Sequence, residues 1–178
     1  MCYGAGGGYS AELLARVVGI SGTVYAQDAP KEMPWFARFN ERAQKPVMKN
    51  VVRTLRPFDD PAAPDGRNLD LITFLFSYHD TTFMEVDRVK MNKALFAALK
   101  PGGHLIVADH SAQAGAGINV AKSLHRIEES VLKQEIEAAG FRLVGESNFL
   151  RNPEDPRTER VFQPKIPVDE FVLRFVKP

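Results

Sequence analysis

The feature that most restricts the fold of this chain is a glycine-rich segment at its start. Four of the first eight residues are glycine, in the order Gly4-Ala5-Gly6-Gly7-Gly8, and a helical pattern follows over 10–18. Glycine lets a backbone turn tightly and approach a ligand that a Cβ atom would keep away. A short strand is predicted over 23–26, and Asp28 stands at its end, where an acid can bind both hydroxyl groups of a ribose.

The spacing of the glycines favours one class of cofactor over another. A dinucleotide fingerprint, G-x-G-x-x-G, requires glycine where Tyr9 stands. The G-x-G-x-G spacing suits a cofactor without a pyrophosphate, and the chain holds no Tyr-x-x-x-Lys pair, which also argues against a nicotinamide oxidoreductase. Taken singly, a glycine run is more often a simple turn and Asp28 can be a solvated acid. Loop, helix, strand and acid in this order are more specific.

The rest of the chain alternates short β-rich runs with helical patterns. This alternation predicts one α/β domain over residues 1–178, with a mostly parallel sheet and helices on both faces. Thr82 and Glu85 form a predicted capping box at the start of a helix. The predicted helices cover 31–43, 82–99 and 128–139, the strands 51–55, 69–76, 104–108, 141–147 and 171–176, and the main loops 56–67, 100–103, 109–124 and 152–167.

Composition limits the partners of the protein. Lys plus Arg is 23 and Asp plus Glu is 22, so no net basic field favours nucleic acid or an anionic membrane. The single cysteine, Cys2, excludes an intrachain disulfide, and the first residues lack the features of a signal peptide. We therefore expect a cytoplasmic protein that acts on a small molecule, with neither nucleic acid nor membrane as a partner.

Several segments carry a resemblance to a known family. Residues 4–10 (GAGGGYS), 24–28 (VYAQD) and 99–105 (LKPGGHL) resemble class I S-adenosylmethionine-dependent methyltransferases. Residues 109–111 (DHS), 124–127 (LHRI) and 137–141 (EAAGF) are similar to a bacterial group of small predicted methyltransferases. The resemblance covers nearly the whole chain. It implies a Rossmann-like sheet in the order 3-2-1-4-5-7-6 with an antiparallel seventh strand, and S-adenosyl-L-methionine bound across the carboxyl ends of strands 1 to 3.

The resemblance also implies which residues bind the cofactor. Gly4, Gly6 and Gly8 would line its methionine and ribose side, and Asp28 would hold the ribose. Phe58, Asp59 or Asp60, which follow the third strand, would border the adenine. Ala5, Tyr9 and Ser77 complete the predicted set.

One departure from the family concerns the first strand. The family places an apolar strand before the glycine loop, whereas only Met1, Cys2 and Tyr3 precede Gly4 here. Loss of a central strand would leave ladder groups unpaired on two neighbours. We therefore expect a truncated or missing first strand: a truncated product, a stub, or a strand supplied by another chain, as in a homodimer that exchanges N-terminal elements. Any of these would weaken cofactor binding, and the alternative function is a cofactor-binding or interaction protein with little or no catalysis.

The candidates for catalysis follow the fourth and fifth strands. A histidine with a pKa near neutral is the expected base for methylation of a hydroxyl group, which makes His79, His110 and His125 the candidates. Each histidine taken alone is more typical of a hydrogen-bonded structural residue. Asp80, Asp109 and His110 also resemble a metal site. Because acids at strand ends more often cap or orient their neighbours, we predict no metal from this pattern.

Two further groups of residues have structural and functional interpretations. Tyr9, Trp35, Phe36 and Phe39 could wall a pocket for an apolar or aromatic substrate, although helical spacing is more typical of core. Arg126 and Arg151 could bind an anionic substrate, although a solvated surface position is the more common one.

Overall fold

A computed structural model describes residues 1–31, 33–61 and 67–178. Its seven strands form one sheet in the order β3-β2-β1-β4-β5-β7-β6. β7 runs antiparallel to β5 and β6, and the other neighbours pair in parallel. The predicted fold class and strand order are confirmed. The strands are β1 Cys2–Tyr3, β2 Val24–Asp28, β3 Val51–Leu55, β4 Leu69–Leu75, β5 Leu99–His110, β6 Arg142–Ser147 and β7 Glu170–Val176.

Five α-helices and two 3₁₀ helices connect these strands in the described part of the chain. Buried apolar side chains form two clusters, one that includes Ala11, Ala26 and Phe39 and a larger one around Phe74 and Leu132. None of the helices has the length and apolar character needed to span a bilayer in the part of the chain that is described. The helices are α1 Tyr9–Val18, α2 Phe36–Ala43, α3 Arg88–Ala98, α4 Ala121–Leu124 and α5 Glu129–Glu137, and the 3₁₀ helices are Pro46–Asn50 and His79–Thr82.

The first strand is present as a stub of two residues. Cys2 pairs with Ala26 of β2 and Thr73 of β4, while Tyr3 pairs with Gln27 and Phe74. Both residues of β1 are buried, and the strand lies in the interior of the sheet between β2 and β4. Cys2 and Tyr3 thus occupy the position of the first strand between β2 and β4, and the glycine loop follows them directly.

Two predicted helices begin later than expected. α2 begins at Phe36, and Pro34, which disfavours helical backbone at Met33, opposes a helix that starts before it. α3 begins at Arg88 with Asp87 as its cap, whose carboxylate accepts the backbone N–H of Lys90 at 3.0 Å. The predicted capping box is wrong: Glu85 has a φ of 56°, which no helical residue adopts. Thr82 instead ends a 3₁₀ helix.

Two connections differ from prediction, and a third, predicted correctly, buries a charged residue. β5 begins at Leu99, which pairs with Leu69, so the predicted turn over 100–103 belongs to a long strand with a register shift. The connection over 109–124 ends in α4. The segment over 152–167 has no regular secondary structure, as predicted, yet it buries Asp155. The predicted loop over 56–67 lies partly outside the described residues.

Candidate active site

A cavity of about 540 Å³ lies at the carboxyl ends of the central strands. Its lining includes Gly4, Gly6 and Asp28 together with the three candidate histidines. In a parallel α/β sheet this edge is where ligands bind. A depression of about 720 Å³ at the opposite edge is lined by residues such as Thr23 and Asn50, and no histidine or acid lines it. The catalytic candidates therefore meet in the first cavity, whose apolar wall includes Trp35, Phe58, Phe76, Phe83, Met84 and Phe162.

Asp28 ends β2 and lies directly beside the glycine loop. The backbone N–H of Gly6 donates to its Oδ1 at 3.2 Å. Its Oδ2 is buried and accepts no hydrogen bond from the described residues. Burial raises the pKa of this carboxyl group from 3.8 to about 6, although the Gly6 hydrogen bond opposes the rise. A buried acceptor without a donor is unfavourable, so Asp28 is suited to a ligand that brings hydroxyl groups.

Two glycines of the loop face the cavity with backbone that other residues rarely adopt. Gly4 has a φ of 67°, and a Cβ there would lie 2.9 Å from Oγ of Ser77, which also lines the cavity. Gly6 has a φ of 53°, and a Cβ there would meet only Trp35, at 4.0 Å. The open space beside Gly6 is therefore available to a ligand that lies against its backbone.

The other predicted loop residues lie outside this cavity. Ala5 is buried in the smaller core cluster. Gly8, with a φ of 80°, packs so closely on Phe39 that a Cβ would lie 2.8 Å from the ring. Tyr9 is 63% exposed, with the Arg42 guanidinium over its ring. Gly8 is therefore positioned for packing between the loop and α2.

Of the three residues predicted to border the adenine, Phe58, Asp59 and Asp60, only Phe58 lines the cavity. Its backbone carbonyl accepts a short hydrogen bond from the Tyr3 hydroxyl, and Tyr3 packs edge-on against its ring at 5.1 Å. Asp59 lies 3.6 Å from the amine of Lys90, and Asp60 pairs with Arg56. Phe58 is therefore the member of this predicted group that can contact a bound base.

His79 is held rigidly by Asp109. Oδ1 of this fully buried carboxylate lies 2.7 Å from His79 Nδ1, and Oδ2 accepts the backbone N–H of His79 at 2.9 Å. The other ring nitrogen, Nε2, lies 3.2 Å from Nδ1 of His125. The structure thus brings together two histidines that are 46 residues apart in sequence, and Asp109 orients the first of them.

The environment moves the pKa values of these two histidines in opposite directions. Burial by itself lowers the pKa of His79, but hydrogen bonds to Asp109 and Asp80 outweigh burial and raise it to about 9. Burial lowers the pKa of His125, and the neighbouring His79 lowers it further. Perturbed pKa values in one cavity are typical of functional sites.

His110 occupies a separate position in the same cavity. It ends β5 and stands opposite Glu170 of β7, whose Oε1 lies 2.8 Å from His110 Nδ1, without the geometry of a hydrogen bond. The ring stacks on Phe76, with centroids 5.1 Å apart. The described residues form no hydrogen bond with Nε2 of His110. Its second nitrogen is therefore available to a ligand.

The remaining candidates fall into two groups. Trp35 lines the cavity, whereas Phe36 and Phe39 are buried beneath the Arg53 guanidinium. Arg126 is 1% exposed and pairs with Asp155, so the expected surface position of this residue is wrong. Neither it nor Arg151, which pairs with Glu129, lines the cavity.

Comparison with known proteins shows the fold of the chain. No protein-family model matches the sequence, and no curated protein matches it. Solved structures do match. A methyltransferase that depends on S-adenosylmethionine, from Aquifex aeolicus, is 19% identical over 99% of this chain and 80% of its own, with a TM-score of 0.70. The glycopeptide N-methyltransferase MtfA, solved with sinefungin, is 14% identical over 99% of this chain and 79% of its own, with a TM-score of 0.68.

The chain has the methyltransferase fold. A third structure with this fold, the [4+2]-cyclase SpnF, is 16% identical over 99% of this chain and 74% of its own, with a TM-score of 0.70. The same fold therefore accompanies more than one chemistry, and the activity of this protein has to be argued from its own residues.

Proposed function

We propose that this protein is an S-adenosylmethionine-dependent methyltransferase that methylates a small molecule at oxygen. The observation that carries the proposal is the contact between Gly6 and Asp28, whose second carboxylate oxygen is buried without a donor. These residues share one cavity with three histidines. A cavity of about 540 Å³ is within the range usual for small-molecule sites.

The residues present fit the cofactor. Asp28 would accept the two ribose hydroxyl groups, one of them through the buried oxygen that lacks a donor. The backbone at Gly4 and Gly6 would lie against the ligand, and Phe58 would contact the adenine. S-adenosylmethionine supplies a methyl group on a sulfonium, which an oxygen lone pair can take as the carbon–sulfur bond breaks. The protein has to align that oxygen and remove its proton.

Among the three histidines we assign the base to His110. The ring nitrogens of His79 contact Asp109 and His125, so they have partners within the protein. Nε2 of His110 has no hydrogen-bond partner among the described residues, so its lone pair would be able to accept the hydroxyl proton of the substrate, while Nδ1 lies beside the Glu170 carboxylate. The stacked Phe76 fixes the plane of the ring. The aromatic wall favours an apolar acceptor that carries a hydroxyl group.

Calorimetric titration with S-adenosylhomocysteine tests the proposed function first. We expect one site per chain, because the Gly4, Gly6 and Asp28 side of the cavity occurs once. Absence of heat at high protein concentration would instead support the alternative function, an interaction protein that has this fold but little or no catalytic activity.

Replacement of His110 tests the assignment of the base. We expect His110→Gln to lower kcat about 100-fold for a hydroxyl acceptor, because a positioned base contributes at least that factor. The dissociation constant for S-adenosylhomocysteine should stay unchanged. The control is His104→Gln, since His104 lies in the middle of β5, does not line the cavity, and its ring bonds only to the Phe175 carbonyl among described residues. An unchanged kcat in the His110 variant would remove this residue from the mechanism.

Cofactor binding should weaken in mild acid. Because the pKa of Asp28 is raised to about 6 in the free protein, the carboxyl group becomes protonated as the pH falls through that value. A protonated carboxyl accepts ribose hydroxyl groups less well. We expect the affinity for S-adenosylhomocysteine to be constant above pH 7 and to fall about tenfold per pH unit below about pH 5.5. Affinity that stays flat down to pH 4.5 would contradict this role.

Several predictions from the sequence stay predictions. They are the cytoplasmic location, the kinship with a bacterial group of small methyltransferases, and the homodimer with exchanged N-terminal elements. The stub strand β1 already pairs with both neighbours, so the proposed activity does not require such an exchange.

A further inference from the structure

Three side chains at the floor of the cavity form a compact group with the donor atoms of a metal site. Nε2 of His79 lies 3.2 Å from Oδ1 of Asp80, and Nδ1 of His125 lies 3.4 Å from the same oxygen. The two ring nitrogens are 3.2 Å apart. Among the described residues, His79, Asp80 and His125 are a group whose potential metal-ligand atoms all lie within 4.8 Å of one another. We propose that His79, Asp80 and His125 bind a divalent transition-metal ion.

The distances within this triangle match those of a coordination sphere. Metal–nitrogen and metal–oxygen bonds of about 2.0–2.2 Å at tetrahedral angles place neighbouring ligand atoms about 3.3–3.6 Å apart. The three separations of 3.2, 3.2 and 3.4 Å are within a few tenths of an ångström of that value. One ion can therefore contact all three atoms with little movement of the side chains.

Asp109 supplies the second interaction that a histidine ligand needs. Histidines that bind metals usually donate their other ring N–H to a carboxylate or carbonyl, which fixes the ring and its tautomer. Nδ1 of His79 lies 2.7 Å from Oδ1 of the fully buried Asp109, so Nε2 would present its lone pair to the ion. The ring of His125 is held between Phe83 and Phe162, with centroids 5.9 and 4.7 Å away. Asp109 is thus a positioning residue.

The chemistry of the three ligands selects the class of metal. Two imidazoles and one carboxylate suit Zn²⁺, Co²⁺ or Fe²⁺, whereas Mg²⁺ prefers oxygen ligands alone. These three ligands differ from the set considered in the sequence analysis, which was Asp80, Asp109 and His110. Asp80 belongs to both sets, whereas His79 and His125 take the place of Asp109 and His110. Both oxygens of Asp109 are engaged by N–H groups of His79 and His110.

The position of the triangle indicates what the ion would do. All three ligands line the cavity, and three protein ligands leave at least one coordination position for a ligand from it. An acceptor hydroxyl bound there would lose its proton more readily, because a metal ion lowers the pKa of a bound hydroxyl group. This role rests on the proposed function, whereas metal binding by itself does not.

The test is a titration of the full chain with Co²⁺ after removal of metals by a chelator. We expect one Co²⁺ per chain, with visible absorption bands that Zn²⁺ abolishes and Mg²⁺ leaves unchanged. His125→Ala and Asp80→Asn should each raise the Co²⁺ dissociation constant at least about 100-fold, and Asp109→Asn about tenfold or more. His104→Gln is the control and should bind as the parent chain does.

The design keeps failures of folding and of function apart. The side chains of His125 and Asp80 are partly exposed, so their variants should fold, which circular dichroism checks. Binding of S-adenosylhomocysteine is measured on the same preparations. Absence of saturable equimolar Co²⁺ binding, or unchanged binding in both variants, overturns the metal site and leaves the proposed function standing. If the protein bound Co²⁺ at this site but had no affinity for S-adenosylhomocysteine, the metal site would stand and the proposed function would be overturned.

Discussion

Replacing Asp28 by asparagine should abolish most cofactor affinity and at the same time make the protein more stable. The carboxylate would accept two ribose hydroxyl groups, and hydrogen bonds to a charged group contribute about 1.5–3 kcal/mol each. Loss of roughly 4 kcal/mol raises the dissociation constant for S-adenosylhomocysteine about 1,000-fold. Isothermal titration calorimetry of parent and variant measures this effect directly.

The gain in stability follows from the raised pKa of Asp28. The folded state binds this proton more tightly than the unfolded state, so the free energy of unfolding falls as the pH rises from 3.8 to about 6. At pH 7 the whole penalty is present, up to roughly 3 kcal/mol for a difference of this size. Asparagine carries no charge and avoids the penalty. We expect a higher Tm for the variant at pH 7 and no gain near pH 4.

A matched control separates a site effect from a general charge effect. Asp70 is exposed at the amino end of β4, where it pairs with Lys100. Asp70→Asn should leave the affinity for S-adenosylhomocysteine unchanged and should bring no gain in Tm at pH 7. If Asp28→Asn bound the nucleoside as tightly as the parent chain, the assignment of the ribose site would be wrong.

Replacing Arg126 by alanine should strongly lower the free energy of unfolding. Arg126 is 1% exposed and bonds to Asp155 and to the carbonyls of Ser111 and Glu159. Its removal leaves the Asp155 carboxylate buried without its cation, although the backbone N–H groups of Arg157 and Asp169 still donate to it. Breaking a buried ion pair on one side lowers the free energy of unfolding by about 3–5 kcal/mol. Chemical denaturation measures the loss.

The same variant should expose the segment that covers part of the cavity. Residues 152–167 lack regular secondary structure, and Val161 and Phe162 of this segment line the cavity. Without the Arg126 anchor we expect proteolytic cleavage within 152–167 to become faster. Arg142→Ala, at the exposed start of β6, is the control. In a double-mutant cycle, Arg126→Ala and Asp155→Ala together should destabilise less than the sum of the two single changes. An additive cycle would contradict a direct pairing.

The resemblance to class I methyltransferases implied the order of the strands, whereas the sequence by itself determined the fold class and the glycine-rich loop at its start. These features depend on local properties: glycine where the backbone needs a positive φ, as at Gly4 and Gly6, and β-rich runs that alternate with helical patterns. The position of Asp28 beside the glycine loop was predictable because one helix and one strand fix its distance from the loop. The predicted boundaries failed where local signals competed, as when Asp87 rather than Thr82 capped α3.

Only the tertiary structure decided how the polar residues are grouped. His125 lies 46 residues from His79, and no local spacing indicates that their rings meet. Arg126 was expected on the surface because arginine is seldom buried without a partner, and its partner Asp155 comes from a segment 29 residues away. The two-residue strand β1 is likewise stable because β2 and β4 bury and pair it from both sides. Such contacts join distant parts of the chain. Local sequence patterns therefore indicate which residues are candidates, whereas tertiary packing determines which of them lie in contact.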